Sequence, residues 1–181
     1  MRGIVVSTLA AATAGLIGCT ANRIPDPVAV TAAPVGVMSE LRNVSGAIVA
    51  RASAAQVGDS IRIKVEATGM RPGSYGAHVH ATGRCSPPDF ASAGPHWNPT
   101  AQQHGKNNPQ GMHKGDLPNL LVGTDGRGSF EMTLASASIS GGAMPLLDSD
   151  GAAVVLHAAP DDYRTDPSGN SGARIACGVL G

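Results

Sequence analysis

The 181-residue chain has no surplus of charge, because 13 basic residues are balanced by 13 acidic ones. A chain without a basic surplus offers no basic face to the phosphates of a nucleic acid, which excludes that class of partner. Aromatic residues make up only 3 % of the chain, whereas glycine and proline number 24 and 13. This composition favours many turns and short strands over long helices. The 42 % hydrophobic content predicts one folded domain with a full core.

The apolar run near the N-terminus, residues 4–15, is too short to span a membrane. It follows Arg2 and precedes the tetrapeptide LIGC at 16–19, an order typical of an export signal. The tetrapeptide resembles the lipobox of bacterial lipoproteins, in which the cysteine carries a lipid anchor, so Cys19 is expected to be lipidated. An ordinary secretory signal with an incidental cysteine is the alternative. Either interpretation places the protein outside the cytoplasm.

These features divide the chain into three parts. Residues 1–18 are predicted to be a lipoprotein signal peptide. Residues 19–43, rich in proline and small residues, are predicted to form the lipidated N-terminus and a flexible tether with no persuasive strand or helix pattern. Residues 44–181 are predicted to form the folded domain. The lipid anchor would hold this domain at a membrane, on the periplasmic side of a bacterial cell envelope.

Cysteine is scarce, with three residues and no pair at the Cys-x-x-Cys spacing of zinc thiolate sites. With Cys19 assigned to lipid, Cys85 and Cys177 remain. A disulfide is the expected state of such a pair in an oxidising compartment. A pair of metal thiolates is the competing interpretation.

The body of the chain is typical of antiparallel β structure. Residues 61–67 alternate strictly between apolar and charged or polar side chains, as in a strand with one exposed face. Turn residues at 124–128 separate the strand-like segments 120–123 and 129–134, which predicts a hairpin. Further strands are expected at 152–157 and 173–180. Several short strands at such spacing indicate a sandwich or barrel.

Two long stretches between the strands, 83–119 and 158–172, have no periodicity. Long irregular loops in a compact domain are usually either functional or disordered. Three of the six histidines lie in the first stretch, and two more, His78 and His80, come just before it.

The histidines form two candidate metal sets. His78 and His80 would project from the same face of a strand, which suits a metal, although a polar outer face is the alternative. Three histidines and a carboxylate form a candidate four-coordinate zinc set: His96, His104, His113 and Asp116. Four imidazoles form a set that suits copper(II): His78, His80, His96 and His157. His96 can serve both metals because it has two ring nitrogens.

These segments resemble the bacterial copper/zinc superoxide dismutases. The matching stretches are GAHVHATGRC, GPHWNPTAQQHG, MHKGDLPNL, VVLHAAPDD and GARIACGVLG, which cover most of 76–181. The resemblance implies an all-β Greek-key β-barrel or flattened sandwich with two long functional loops. It also implies one copper and one zinc per chain at the two sets above, with His96 as the bridge.

The resemblance implies further roles and an activity. Asp161 corresponds to the family's aspartate that hydrogen-bonds one copper ligand and one zinc ligand, here His78 and His104. Arg174 corresponds to the arginine beside the copper, and Cys85 with Cys177 to the family disulfide. The implied activity is dismutation of superoxide to dioxygen and hydrogen peroxide, an antioxidant defence in the cell envelope. Arg174 and His96 would be its catalytic residues.

Alternatives remain open at this point. A metal carrier without turnover and a lipoprotein scaffold are the other functions considered, and neither requires an anion-holding arginine. The stretch 158–172 has no lysine, so Lys106, Lys114 and Arg164 are the candidates for guiding superoxide, unless they are solvated loop charges. Arg174 could instead cap the last strand or pair with Asp162. A homodimer is a candidate assembly.

Overall fold

A computed structural model describes residues 36–181 of the chain. The predicted signal peptide, Cys19 and residues 19–35 of the predicted tether therefore lie outside the described residues. The strands of the described range are, in chain order, β1 Gly36–Asn43, β2 Ile48–Val57, β3 Ser60–Thr68, β4 Gly73–Tyr75, β5 Ala77–His80, β6 Leu120–Val122, β7 Arg127–Leu134, β8 Ala152–His157 and β9 Arg174–Leu180. A short 3₁₀ helix spans Ala91–Ala93. No helix within residues 36–181 is long and apolar enough to cross a membrane.

Seven strands form one antiparallel sheet in the order β5-β8-β9-β1-β2-β3-β7, and β4 pairs with β6 separately. On β3, the fully buried Ile61, Ile63 and Val65 alternate with charged residues on the other face. This is the alternation predicted for 61–67, and it gives the sheet one core face and one wetter face. The predicted all-β class is confirmed.

The first strand corrects the predicted tether, because residues 36–43 form β1 and lie between β2 and β9 in the sheet. Its inward side chains in the middle of the strand are Ser39 and Leu41, so it lacks the apolar alternation by which an isolated strand is recognised. Ser39 fits because it faces Gly178, where a Cβ would collide with the serine hydroxyl. The strand is specified by its partners more than by its own sequence.

The hairpin predicted for 120–134 is wrong in its pairing. The chain does reverse there, and the Gly123 N–H donates to the Arg127 carbonyl at 2.8 Å. The flanking strands then separate, since β6 pairs with β4 while β7 pairs with β3 from Ile61 to Thr68. By pairing with β3, strand β7 completes the large sheet. A short hairpin between β7 and β6 would not complete it.

The remaining predictions for the loops and last strands agree with the structure. Strands β8 and β9 occupy the segments predicted for them. The irregular stretches connect β5 to β6 through residues 81–119, called here the first loop, and β8 to β9 through residues 158–173, called the second loop. A third irregular connection, 135–151, joins β7 to β8. All three reach the site described next.

Candidate metal centre

The edge strand β5 positions the site, because β8 pairs with one side of it and the first loop lies along the other. The Val79 N–H donates to the Gly115 carbonyl at 2.8 Å. Glycine is required at 115, since a Cβ there would collide with the Val79 carbonyl oxygen. Two isolated bridges continue this pairing: His78 with Asp116, and His80 with His96. The loop is thereby held against the strand that carries two histidines.

Four buried histidines form the first group, called here the four-histidine cluster: His78, His80, His96 and His157. Their donor atoms lie within 4.8 Å of one another. The rings of His78 and His96 are stacked, with centroids 3.9 Å apart. The structure thus brings together the four residues predicted to hold copper.

In three of these rings one nitrogen is bonded and the other has no partner. The bonded atoms are His78 Nε2 with Asp161 Oδ2 at 2.9 Å, His80 Nδ1 with the Gly94 carbonyl at 2.8 Å, and His157 Nδ1 with the Gly172 carbonyl at 3.1 Å. Because these oxygens accept, the bonded nitrogens carry the protons. The opposite nitrogens are buried without any hydrogen-bond partner: His78 Nδ1, His80 Nε2 and His157 Nε2. Buried polar atoms are rarely left unpaired, and three converging lone pairs fit a metal ion.

Burial keeps these imidazoles neutral. It lowers the pKa of His78 to about 3 and the pKa of His157 to about 4. It also lowers the pKa of His80 well below the usual value, and repulsion from His96 acts in the same direction. The lone pairs are therefore available to a metal at neutral pH.

The second group, called here the Asp116 cluster, comprises His96, His104, His113 and Asp116. The Oδ1 atom of Asp116 lies 3.0, 2.9 and 3.2 Å from the Nδ1 atoms of His96, His104 and His113. The Nδ1 atoms of His96 and His113 are 3.3 Å apart. A tetrahedral zinc ion with ligands at about 2.0 to 2.1 Å separates those ligands by about 3.3 Å. The cluster therefore has the dimensions of a zinc site.

His78 lies close to this cluster as well, and its donor atom falls within 4.8 Å of those of His96, His104 and Asp116. His113 is nevertheless the better fourth member, because its Nδ1 faces Asp116 Oδ1 directly. His78 has one nitrogen on Asp161, while the other is one of the three partnerless nitrogens of the four-histidine cluster.

The pKa shifts in the Asp116 cluster reflect the close approach of its imidazoles to one carboxylate. Burial would raise the pKa of Asp116, but hydrogen bonds from His104, His113 and His96 outweigh it and hold that pKa far below its usual value. Burial would likewise lower the pKa of His104, yet hydrogen bonds to Asp116 and Asp161 raise it to about 9. A divalent metal satisfies the same carboxylate and displaces the protons.

Asp161 connects the two groups. Its Oδ2 atom lies 2.9 Å from His78 Nε2, and its Oδ1 atom lies 3.0 Å from His104 Nε2. These are the two contacts that the family resemblance implied. A carboxylate in this position fixes the orientation and tautomer of both rings.

Two residues to which the sequence analysis gave no role hold Asp161 in place. Asn119 accepts the Asp161 N–H at 2.8 Å through Oδ1 and donates to the Asp161 carbonyl at 2.9 Å through Nδ2. Tyr163 donates its N–H to Asp161 Oδ1, and its hydroxyl oxygen accepts the Asn119 N–H, both at 2.6 Å. The sequence contains one signal for the role of Tyr163, because this residue follows Asp161 by two positions, which is the spacing of an Asx turn.

Arg174 begins β9 opposite His157. Its Nη1 and Nη2 atoms donate to the carbonyls of Phe90 and Gly94, each at 2.8 Å. Arg174 forms no ion pair within residues 36–181, so the alternative of pairing with Asp162 is wrong. The guanidinium instead anchors the first loop beside the four-histidine cluster.

A disulfide and a cavity complete the site. Cys85 and Cys177 are bonded, with Cα atoms 5.6 Å apart, which confirms the predicted pair and excludes metal thiolates. A cavity of about 940 Å³ reaches His96, His157 and Arg174. A small anion entering it therefore meets the arginine beside the four-histidine cluster.

Known proteins share this sequence and fold. The sequence profile of the family described as copper/zinc superoxide dismutase (SODC) matches residues 44–180. The chain is 43 % identical over 162 residues to the superoxide dismutase-like protein YojM of Bacillus subtilis, covering 88 % of this chain and 83 % of that protein. It is 45 % identical over 123 residues to the Cu-Zn superoxide dismutase of Caulobacter vibrioides, covering 66 % and 71 %. The crystal structure of a SOD-like protein from Bacillus subtilis matches with a TM-score of 0.74 at 44 % identity, over 79 % of this chain and 97 % of that one.

The chain belongs to the copper/zinc superoxide dismutase family. It is a superoxide dismutase, its metals are copper and zinc, and superoxide is its substrate.

Proposed function

We propose that this enzyme holds copper through the four-histidine cluster and zinc through the Asp116 cluster, with His96 shared between them. The observation that carries the proposal is the set of three buried, partnerless nitrogens on His78, His80 and His157. The Asp116 cluster supports it independently, because its donor separations of 2.9 to 3.3 Å match tetrahedral zinc. His96 belongs to both sets, since its Nδ1 faces Asp116 and leaves Nε2 for copper.

The protein groups have distinct tasks in dismutation. Copper, when bound, supplies the one-electron chemistry that oxidises one superoxide and reduces the next. Arg174 binds the incoming anion through a permanently charged donor fork that is already fixed by two carbonyls. The Nε2 atom of His96 can hold a proton and deliver it to the reduced product, because Nδ1 stays fixed on the zinc side. Asp161 holds the rings of His78 and His104 in a fixed orientation during the reaction.

Single substitutions test the division into two metal sets. His113→Ala should lose zinc while retaining copper, and His157→Ala should lose copper and copper-dependent turnover while retaining zinc. Each variant is the control for the other, and elemental analysis of the purified proteins gives the metal content. Full zinc retention in His113→Ala would show that the zinc set is assigned wrongly.

We also propose that the enzyme is a lipoprotein on the periplasmic side of a bacterial cell envelope. The segment 16–19 with Cys19 supports this location, since it resembles a lipobox. The disulfide between Cys85 and Cys177 supports an oxidising compartment. Dioxygen and peroxide would then be formed outside the cytoplasm.

The anchor is tested at Cys19. Cys19→Ser should leave the enzyme in the soluble or unprocessed fraction, whereas the parent should be recovered with membranes and carry lipid on Cys19 by mass spectrometry. A mature N-terminus elsewhere, without lipid, would remove the lipoprotein proposal and leave the enzyme proposal intact. Homodimer formation stays a prediction, to be checked by light scattering.

A further inference from the structure

The walls of the active-site cavity carry little positive charge. Among residues 36–181, Arg174 is the one lysine or arginine that lines it. Two carboxylates line the same cavity, Asp148 and Asp166. The charged lysine, arginine and acidic side chains that line the cavity therefore comprise two negative groups and one positive group.

The cations suggested by the sequence lie elsewhere. Lys114 Nζ donates to the Ala135 carbonyl at 2.9 Å, and Lys106 Nζ lies 4.0 Å from the centre of the Tyr163 ring. Neither of them lines this cavity, and Arg164 does not line it either. The formal net charge of the polypeptide is zero, so the attraction for superoxide comes from Arg174 and from the copper and zinc ions when they are bound.

The two carboxylates differ in their other contacts. Asp166 Oδ1 accepts the His104 N–H at 2.6 Å and lies 4.0 Å from His113 Nε2, so Asp166 supports the Asp116 cluster. Asp148 is exposed on the connection 135–151, and its side chain accepts one hydrogen bond, from the N–H of Asp150 at 2.9 Å. Asparagine can make that same local turn without the charge.

We propose that Asp148 lowers the rate at which this enzyme captures superoxide, an inference that rests on the proposed function. A carboxylate on the wall of a charged cleft repels an anionic substrate and opposes the attraction of Arg174. Because Asp148 has no part in either metal cluster, its effect falls on association and leaves metal binding unchanged. The connection 135–151 is thus a determinant of rate in this enzyme.

The test varies the charge at one position in the copper- and zinc-loaded enzyme. Asp148→Asn should raise the second-order rate of superoxide decay per bound copper by about twofold at low ionic strength, and Asp148→Lys by more. At about 1 M salt, where the Debye length is about 3 Å, the three proteins should react at the same rate. Pulse radiolysis measures these rates, and elemental analysis confirms equal metal content.

Asp125 provides the matched control. Its Oδ1 accepts the Arg127 N–H at 3.1 Å in the same kind of turn, but Asp125 does not line the cavity. Asp125→Asn and Asp125→Lys change the net charge equally and should leave the rate unchanged. An equal increase in both series, or no increase in the Asp148 series, would overturn the inference while leaving the dismutase activity established. A fully loaded parent without copper-dependent turnover would overturn the proposed function together with it.

Discussion

The metal-binding role of each histidine depends on which of its two ring nitrogens is already hydrogen-bonded to the protein. The sequence identifies the six residues by spacing and resemblance, but it carries no information on the nitrogens. Those are set by oxygens distant in the chain, such as the Gly172 carbonyl for His157 and Asp161 for His78. The choice between Nδ1 and Nε2 as metal donor is therefore a product of tertiary structure.

Tyr163 is expected to control zinc retention through Asp161. Tyr163→Phe removes the hydroxyl oxygen that accepts the Asn119 N–H, while the ring under Lys106 remains. One hydrogen bond contributes about 1 kcal/mol, so zinc should pass to a chelator about fivefold faster. The copper spectrum should shift as well, because Asp161 also orients His78. Stopped-flow chelation and electron paramagnetic resonance measure the two effects.

Tyr75 is the control for this experiment. Its hydroxyl donates to the Arg71 carbonyl at 2.9 Å, so Tyr75→Phe deletes a comparable hydrogen bond that makes no contact with Asp161. Zinc release and the copper spectrum of Tyr75→Phe should match the parent. Equal acceleration in both variants would show that Tyr163 acts through general stability alone.

Among the larger elements, the first loop depends on three separate attachments. It pairs with the edge strand β5, it is bonded by Arg174 at Phe90 and Gly94, and it is joined to β9 by the disulfide. A loop of this length has a large conformational entropy when free, which these attachments remove. Without them, the histidines of the loop would not stay close to those of β5.

Removal of the disulfide should destabilise the whole domain. In the chain-entropy model, a cross-link between residues 92 apart in sequence contributes about 4 to 5 kcal/mol. The double variant Cys85→Ser, Cys177→Ser should lose a free energy of unfolding of this order in urea denaturation. Cys19→Ser is the control and should not change it. A loss below about 1 kcal/mol would show that the other two attachments suffice.

The strands were predictable where one face is apolar and the other charged. Residues 61–67 satisfy this pattern and form β3 as expected. Strand β1 was missed because its inward residues include Ser39, and the pairing of β6 was missed because its partner β4 has only three residues. Both elements are decided by neighbours in the sheet, which local alternation does not encode.

In the molecule as a whole, three irregular segments meet at the edge of the sheet. Each segment contributes residues with a different role in the site. The first loop brings most of the metal-binding residues, the second brings Asp161, and the connection 135–151 brings Asp148. The metal residues and Asp161 were predictable from spacing and resemblance. Asn119 and Tyr163 were not, because their effects depend on contacts between segments far apart in sequence, such as Asn119 with Asp161. Asp148 was not either, because only the fold places its turn at the wall of the cavity.

The most direct test is the rate of superoxide decay, measured by pulse radiolysis, for the parent and Arg174→Ala at known copper and zinc content. The parent rate should be proportional to bound copper, and Arg174→Ala should keep both metals. Charged clefts raise association rates by about 10-fold to 1,000-fold, superoxide dismutases being a known case, so the variant should lose about tenfold per copper. A fully loaded parent that does not accelerate superoxide decay, or an Arg174→Ala variant with the parent's rate per copper, would contradict the assignment of an anion-capturing copper site.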